Sequence, residues 1–209
     1  VMGSTYATDT ATGPNKVYIE QVNGNSNVIT IEQVGGTNTV GGVTNTSGPT
    51  VDGTGVTTLT PADPSVTNYG YISGGSNQVS ITQHGNNNSA QYSIKGNSNS
   101  YTSSVTGNNN QTSLTIGVAS GQNAVAKSTN TVSETIIGNS NMVMTNIQAG
   151  TNSVTTSITG SNNQVTQNLS TNGSSVSNTV TGSNNIYNVQ QTDAAGGNGH
   201  NLTMNTTGD

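Results

Sequence analysis

An eleven-residue period runs through most of this chain and limits the folds that it can adopt. Steps of eleven residues from Asn130 reach Asn141, Asn152, Asn163, Ser174 and Asn185. The residue two places after each of these positions is valine or tyrosine. The residue six places after each of them, called the sixth place below, is aliphatic as far as Val180. A disordered polar tract has no reason to hold this phase through five successive steps. The period therefore predicts a repeat fold.

Two earlier blocks follow the same rule. In one of them, four units open at Asn77, Asn88, Asn99 and Asn110. In the other, Asn27 is followed by Ile29, Ile31, Gln33, Gly35 and Asn38. We therefore expect the repeat to extend over both halves of the chain.

Each unit has the pattern of one short strand and one turn. In the segment 154–158, Val154, Thr156 and Ile158 are predicted to point inward, and the two residues between them are predicted to point outward. This alternation has the period of two that is typical of a strand. Glycine and asparagine follow, and both tolerate the positive φ of tight turns. Two units facing each other make a coil of about 22 residues, and coils stack through backbone hydrogen bonds. The sequence therefore predicts an all-β fold, a cross-β-like β-solenoid with two short strands per coil that stacks head-to-tail.

The same pattern assigns residues to the core and to the turns. The predicted core residues are Val17, Ile19, Ile29, Ile31, Val79, Ile81, Ile94, Val105, Ile116, Val132, Ile136, Val143, Ile147, Val154, Ile158, Val165, Leu169, Val176 and Val180. The predicted ladder and turn residues are Asn27, Gln33, Gly35, Asn38, Asn77, Gln83, Gly85, Asn88, Gly96, Asn99, Gly107, Asn110, Gly138, Asn141, Asn152, Gly160, Asn163, Gly182 and Asn185.

One stretch of the repeat resembles the curlin repeat. After Asn77, the residues Gln83, Gly85, Asn88 and Ala90 stand at the family's spacing, and a second match runs from Asn27 through Gln33, Gly35 and Asn38 to Val40. Curlins form extracellular functional amyloid in bacterial biofilms. The resemblance implies that these Asn and Gln residues form inward ladders that bond the turn backbones of adjacent coils. From Asn99 onward the spacing and the leading asparagine persist, and the sixth place is mostly aliphatic.

Composition excludes several classes of function. Only 28% of residues are hydrophobic and 5% are charged, which suits a thin core better than a thick one. Three lysines and no arginine cannot form a phosphate-binding surface, so we expect no nucleic-acid partner. No apolar run is long enough for a membrane-spanning helix, and the absence of cysteine excludes disulfides and thiolate metal sites. The first residues lack the basic and apolar regions of a signal peptide, so we expect the mature chain of an exported, extracellular or cell-surface protein.

Titratable residues form no recognisable catalytic or metal-binding pattern. His84 and His200 lie far apart in the sequence, and Asp9, Asp52 and Asp63 fall outside the regular units. We therefore predict no enzyme activity, no metal and no cofactor. Glu134 is an exception because it stands at an inward position. Lys127 is the obvious partner for its carboxylate, and the alternative is a local bulge in the strand.

Breaks in the phase divide the chain. Residues 1–14 form an N-terminal arm, residues 15–40 and 68–191 form solenoid coils, and residues 192–209 form a tail or a final strand. Residues 41–67 contain Pro49, Pro61 and Pro64, which cannot donate to a ladder, and are predicted to be an inserted loop. A second slip lies at 117–129.

The sequence favours a structural fibre subunit. Solenoid ends without caps expose unpaired backbone groups, and head-to-tail contacts then produce open filaments. The chain itself is the predicted partner, and secretion or nucleation proteins are further candidates. The residues predicted at the self-assembly ends are Val17, Ile19, Gln21, Val176, Val180 and Val189. The alternative is a monomeric binding solenoid of the adhesin or ice-binding type, for which the mixed row of Ile137, Thr159 and Thr181 is weak evidence.

Overall fold

The structure is a computed structural model that describes residues 4–11, 15–22, 24–41, 70–117, 127–192 and 199–208. These residues form strands joined by tight turns and contain no helix, and so none that could span a membrane. The strands are β1 (Ser4–Ala11), β2 (Lys16–Val17), β3 (Ile19–Val22), β4 (Val28–Gly35), β5 (Thr39–Val40), β6 (Gly70–Ser73), β7 (Gln78–His84), β8 (Ser89–Lys95), β9 (Ser100–Thr106), β10 (Gln111–Ile116), β11 (Thr131–Ile137), β12 (Met142–Ile147), β13 (Ser153–Thr159), β14 (Gln164–Leu169), β15 (Ser175–Gly182), β16 (Ile186–Gln191) and β17 (Asn201–Gly208).

Two parallel sheets contain all of these strands. The eight-stranded sheet has the order β1-β4-β7-β9-β11-β13-β15-β17. The nine-stranded sheet has the order β16-β14-β12-β10-β8-β5-β2. In this sheet β3 follows β2 in the same strand position, and β6 follows β5 in the next one. Because the chain alternates between the sheets, each pair of strands closes one coil. The all-β solenoid predicted from the period is therefore confirmed, with about seven turns spaced about 22 residues apart.

The repeat fixes the register between coils. Val132, Val154 and Val176 align on neighbouring strands, as do Ile136, Ile158 and Val180. Along β13 the side chains alternate between exposed and buried, so one set faces the core and the other faces solvent. Each coil contributes only a few apolar side chains, and stability accumulates through the stack of neighbours.

Most of the predicted core residues lie buried in this stack. Val17 and Ile19 are only partly buried, because their strands occupy the edge of the nine-stranded sheet. The core also contains buried residues that the sequence pattern did not select: Val40, Tyr71, Ile72, Ala90, Tyr92, Tyr101, Leu114, Met144, Ala149 and Val189. Tyr92 and Tyr101 are the largest fully buried side chains, and their ring centroids are 6.4 Å apart.

The coils keep register across both breaks in the sequence. Asn27 bonds Asn77, which lies 50 residues later, and Asn99 bonds Asn130, which lies 31 residues later. Of the insertion predicted at 41–67, only Gly41 lies within the described residues; it is buried, and its N–H donates to the Ala90 carbonyl at 2.8 Å. In the second slip, at 117–129, residues 118–126 lie outside the described residues.

The structure corrects the predicted C-terminal end of the stack. Val176 and Val180, expected at that end, lie on β15, are 1% exposed and are covered by β17. The reason is that Leu202 and Met204 continue the inward apolar alternation, so the tail adds one more strand. At the other end, Ser4–Ala11 of the N-terminal arm forms β1 and pairs with β4.

The turn glycines leave no room for a side chain. Gly160 has φ +139°, and a Cβ atom there would overlap the carbonyl oxygen of Gly182 in the next coil. We expect Gly160→Val to lower the free energy of unfolding by at least about 3 kcal/mol, measured by chemical denaturation followed by circular dichroism. Gly173→Asn is the control, because Gly173 has φ +70° and its nearest neighbouring atoms lie 3.9 Å away. Equal unfolding midpoints for the two variants would contradict the turn geometry.

Candidate functional site: the asparagine ladders and the ends of the coil stack

Two asparagine ladders run along the stack, one at the start of each sheet's strands. The first consists of Asn27, Asn77, Asn99, Asn130 and Asn152, and it continues at Ser174. The second consists of Asn15, Asn38, Asn88, Asn110, Asn141, Asn163 and Asn185. Ladders inferred from the resemblance are thus present as buried structural rows, and they extend well beyond the stretch that carries the motif.

Asn110 illustrates the bonding of one ladder member. Its Oδ1 accepts from the backbone N–H of Asn141 at 3.0 Å and from Asn141 Nδ2 at 3.1 Å. Its own Nδ2 donates to Asn88 Oδ1 at 3.1 Å and to the Gly138 carbonyl at 2.8 Å. One buried side chain therefore joins three coils and satisfies a turn carbonyl that has no partner in its own coil.

The turn glycines supply the acceptors of the ladders. The predicted turn residues Gly35, Gly85, Gly96, Gly107, Gly138, Gly160 and Gly182 all have positive φ. Their carbonyls accept from ladder amides, as Gly96 does from Asn77 at 2.8 Å. Only glycine adopts the φ of 107–139° seen at these positions without strain, so the turn chemistry and the ladder depend on each other.

Glutamine takes part in two separate buried networks. Gln33 donates to Gln83 at 2.8 Å, in the two coils that carry the curlin-like motif. Farther along the stack, Gln167 donates to Thr156 at 2.7 Å and accepts from Asn178 at 2.7 Å. The first network was expected from the resemblance; the second was not, because its three members come from both sheets.

Glu134 is fully buried, and its partners differ from those expected. Its carboxylate accepts from the Tyr101 hydroxyl and from the Thr145 hydroxyl, each at 2.9 Å. Lys127 was the predicted partner, but it lies in a turn where its carbonyl accepts from Asn99, and the strand runs on without a bulge. Burial raises the pKa of Glu134 to about 7, against the lowering effect of the two hydrogen bonds. Burial and the nearby carboxylate also raise the pKa of Tyr101 well above its usual range.

Two other titratable residues, His84 and Glu32, meet outside the core. His84 lies on the outer surface and meets Glu32 at 3.2 Å, with about half of each side chain exposed. Within the described part of the chain, no three His, Cys, Asp or Glu residues come together in a way that could hold a metal ion. The residues that stand out chemically are therefore those of the ladders and of the two ends of the stack.

The N-terminal end of the stack consists of β1 in one sheet and of β2 and β3 in the other. Val17 and Ile19 are partly buried and pack against the hydrophobic core. Asn15 occupies the ladder position of this row. Gln21 lies six residues after it, at a position that faces inward. This end therefore presents a coil cross-section with an asparagine, two aliphatic residues and a glutamine.

The C-terminal end presents a cross-section of the same kind. On β16, Tyr187 is partly buried, while Val189 and Gln191 are 3% and 8% exposed. Asn185 precedes this strand in the ladder position and donates to Asn163 at 2.9 Å. On β17, Leu202 and Met204 pack against the core but are only partly buried. The glutamine, the asparagine and the tyrosine of this end were missing from the predicted end residues, although the eleven-residue phase places them in the same row.

The outer face of the eight-stranded sheet forms a grid of hydroxyl groups. All outward positions of β9, β11, β13 and β15 are serine or threonine except Ile137. Two central rows alternate between the residue types: Thr102, Ser133, Thr155 and Ser177 in one, and Ser104, Thr135, Ser157 and Thr179 in the other. The grid is uncharged and exposed or half-buried throughout.

Comparison with known proteins gives no relative: no protein-family model, no curated protein and no solved structure matches this chain.

Proposed function

We propose that this chain is the structural subunit of an extracellular fibre that grows by end-to-end stacking, as a functional amyloid of a biofilm matrix or an adhesive surface does. The observation that carries the proposal is the pairing order: β1 and β17 each have one strand neighbour among the described residues, and so does β16. Edge strands with free N–H and C=O groups are templates for another chain. Parallel pairing also repeats one geometry at every coil, so an edge strand can pair with a strand of a second copy in the same way.

The side chains at both ends support this assignment. Soluble solenoids usually cover their terminal coils with a polar cap. Here Leu202 and Met204 at one end, and Val17 and Ile19 at the other, belong to the core but keep part of their surface open. Stacking two copies would bury that apolar surface, at about 25 cal/mol per Å².

The location and the partners follow from the same proposal. A fibre of a biofilm matrix acts outside the cell, and the principal partner of each chain is another copy of itself. The low content of charged residues, 5%, suits this role, because stacked identical units place like charges in rows where they repel one another.

Electron microscopy tests the proposal directly. We expect the purified chain to form long unbranched filaments whose fibre diffraction shows a repeat of about 4.7–4.8 Å along the axis. Met204→Lys should raise the concentration needed for assembly at least about tenfold, because the ammonium group would be buried between copies. Thr203→Lys is the matched control, since its side chain is exposed on the same strand. A chain that stays monomeric at all concentrations would refute the proposal.

The hydroxyl grid favours a second candidate function, a monomeric binding module of the adhesin or ice-binding type. Outward residues are spaced about 6.6 Å apart along each strand and about 4.8 Å apart between strands, which makes a regular array. A monodisperse monomer that retards ice growth or binds a polysaccharide surface, and loses this with Thr155→Lys, would favour this function over the fibre.

A further inference from the structure

The two sheets differ in the number of strand positions that they contain. The eight-stranded sheet has eight positions, whereas the nine-stranded sheet has seven, because β3 continues the row of β2 and β6 continues that of β5. Both the first strand, β1, and the last strand, β17, belong to the eight-stranded sheet. Among the described residues, the stack thus begins and ends with a strand of the same sheet and contains a half coil more than a whole number of coils.

This half coil prevents intact copies from stacking continuously. If β17 of one copy pairs with β1 of the next, one sheet is continuous while the other lacks a strand between β16 and β2. The two strands would then be about 9.5 Å apart, twice the normal spacing of about 4.8 Å. Such a gap would leave backbone groups of both strands without partners inside the fibre.

We propose that the last strand, β17, of one copy displaces the first strand, β1, of the next copy and pairs with β4 in its place. This inference rests on the proposed fibre and specifies its junction. Each copy then contributes seven strand positions to each sheet, and β16 comes directly against β2 and β3 of the next copy. The exchanged strand stays part of its own chain and joins the two copies through backbone hydrogen bonds to β4, as in other assemblies that complete a sheet with a strand from a neighbour.

The residues at the two ends match when the strands are placed in this way. In the nine-stranded sheet the register of the coils brings Asn185 to Asn15 and thereby continues the asparagine ladder. The inward positions that follow pair Tyr187 with Val17, Val189 with Ile19 and Gln191 with Gln21. The amide pair repeats the arrangement of Gln33 and Gln83 within the chain.

The exchanged strand also suits its new neighbour better than β1 does. In β1, Thr5, Ala7 and Asp9 occupy the register positions of the buried Ile29, Ile31 and Gln33 of β4. At the same positions of the coil, β17 has Leu202, Met204 and Thr206. At these register positions the exchange puts methionine in place of alanine and threonine in place of aspartate, so the row gains an apolar residue and loses an ionisable one.

Engineered disulfides test the exchange in the full chain, which contains no cysteine of its own. Tyr6 and Thr30 are register partners on β1 and β4, and neighbouring strands fall within the Cα separation of a disulfide. We expect the oxidised Tyr6→Cys/Thr30→Cys variant to stop elongating, with the filament length reduced at least tenfold, and reduction to restore it. The oxidised Thr102→Cys/Ser133→Cys variant locks two interior strands and should assemble like the wild type. A locked first strand that assembles normally would overturn the proposal.

Cross-linking between copies distinguishes the two junctions. With the exchange, Thr203 lies beside Thr30 of the next copy, so Thr30→Cys/Thr203→Cys should form ladders of covalent oligomers during assembly. Oligomers of Tyr6→Cys/Thr203→Cys instead would mean simple stacking, which overturns the exchange while leaving the fibre intact. If neither pair links copies and no filaments form, the proposed function itself fails.

Discussion

Replacing Asn110 by alanine is expected to cost about 3–5 kcal/mol in the free energy of unfolding. The side chain is fully buried and forms four hydrogen bonds that join three coils. Its removal leaves the buried Asn141 N–H and the partly buried Gly138 carbonyl without this partner, and an unsatisfied buried group costs about 1–3 kcal/mol. Urea denaturation followed by circular dichroism measures the effect.

Gln111→Ala is the matched control for this prediction. Gln111 is the next residue along the chain and is exposed. Its replacement should change the free energy of unfolding by no more than about 0.5 kcal/mol. If the two variants were equally stable, the ladder would be a geometric consequence of stacking and not a source of stability.

The second large effect is a dependence of stability on pH that comes from Glu134. Its pKa is about 7 in the fold against 4.5 ordinarily, so the folded chain holds its proton longer than the unfolded chain does. Below about pH 4.5 the carboxyl is protonated in both states and contributes nothing. Between about pH 4.5 and 7 only the unfolded chain ionises and stability falls, by about 3 kcal/mol in total. Above pH 7 the full loss remains.

Glu134→Gln should remove this loss, because an amide fills the same space and can bond Tyr101 and Thr145 without a charge. We expect the variant to be more stable than the wild type at pH 8, by about 3 kcal/mol, and similar to it at pH 4. Glu32→Gln, which removes an exposed carboxylate, is the control and should change the free energy of unfolding by no more than about 0.5 kcal/mol. A wild type whose stability does not fall between pH 4 and pH 8 would show that the buried carboxyl does not titrate in this range.

Much of the fold followed from the sequence because the repeat is local and self-consistent. The alternation in Val154–Ile158 predicts a strand, and the glycine and asparagine that follow predict a turn. Since parallel coils pair in register, the eleven-residue phase also places Asn141 beside Asn163 and Val132 beside Val154. The inward rows and the ladder positions could therefore be predicted without coordinates.

The environment of Glu134 could not be predicted in the same way. Its partners Tyr101 and Thr145 lie 33 residues before and 11 residues after it, and the first separation includes the break at 118–126. Counting in steps of eleven residues cannot align two residues when the phase slips between them. It also treats the two sheets separately, whereas this carboxylate bonds a residue from each of them.

The sequence by itself determined the coil, the alternation and the asparagine rows, because each depends on residues that are near neighbours along the chain or two eleven-residue periods apart. Only the tertiary structure decided which strands are terminal in the described part of the stack. Leu202 and Met204 add a strand after β15, and Ser4–Ala11 adds one before β4, so both terminal strands fall in the same sheet. The physical reason is that pairing with the neighbouring coil sets the sheet to which a terminal strand belongs. The number of half coils between the two terminal strands then decides whether both lie in the same sheet.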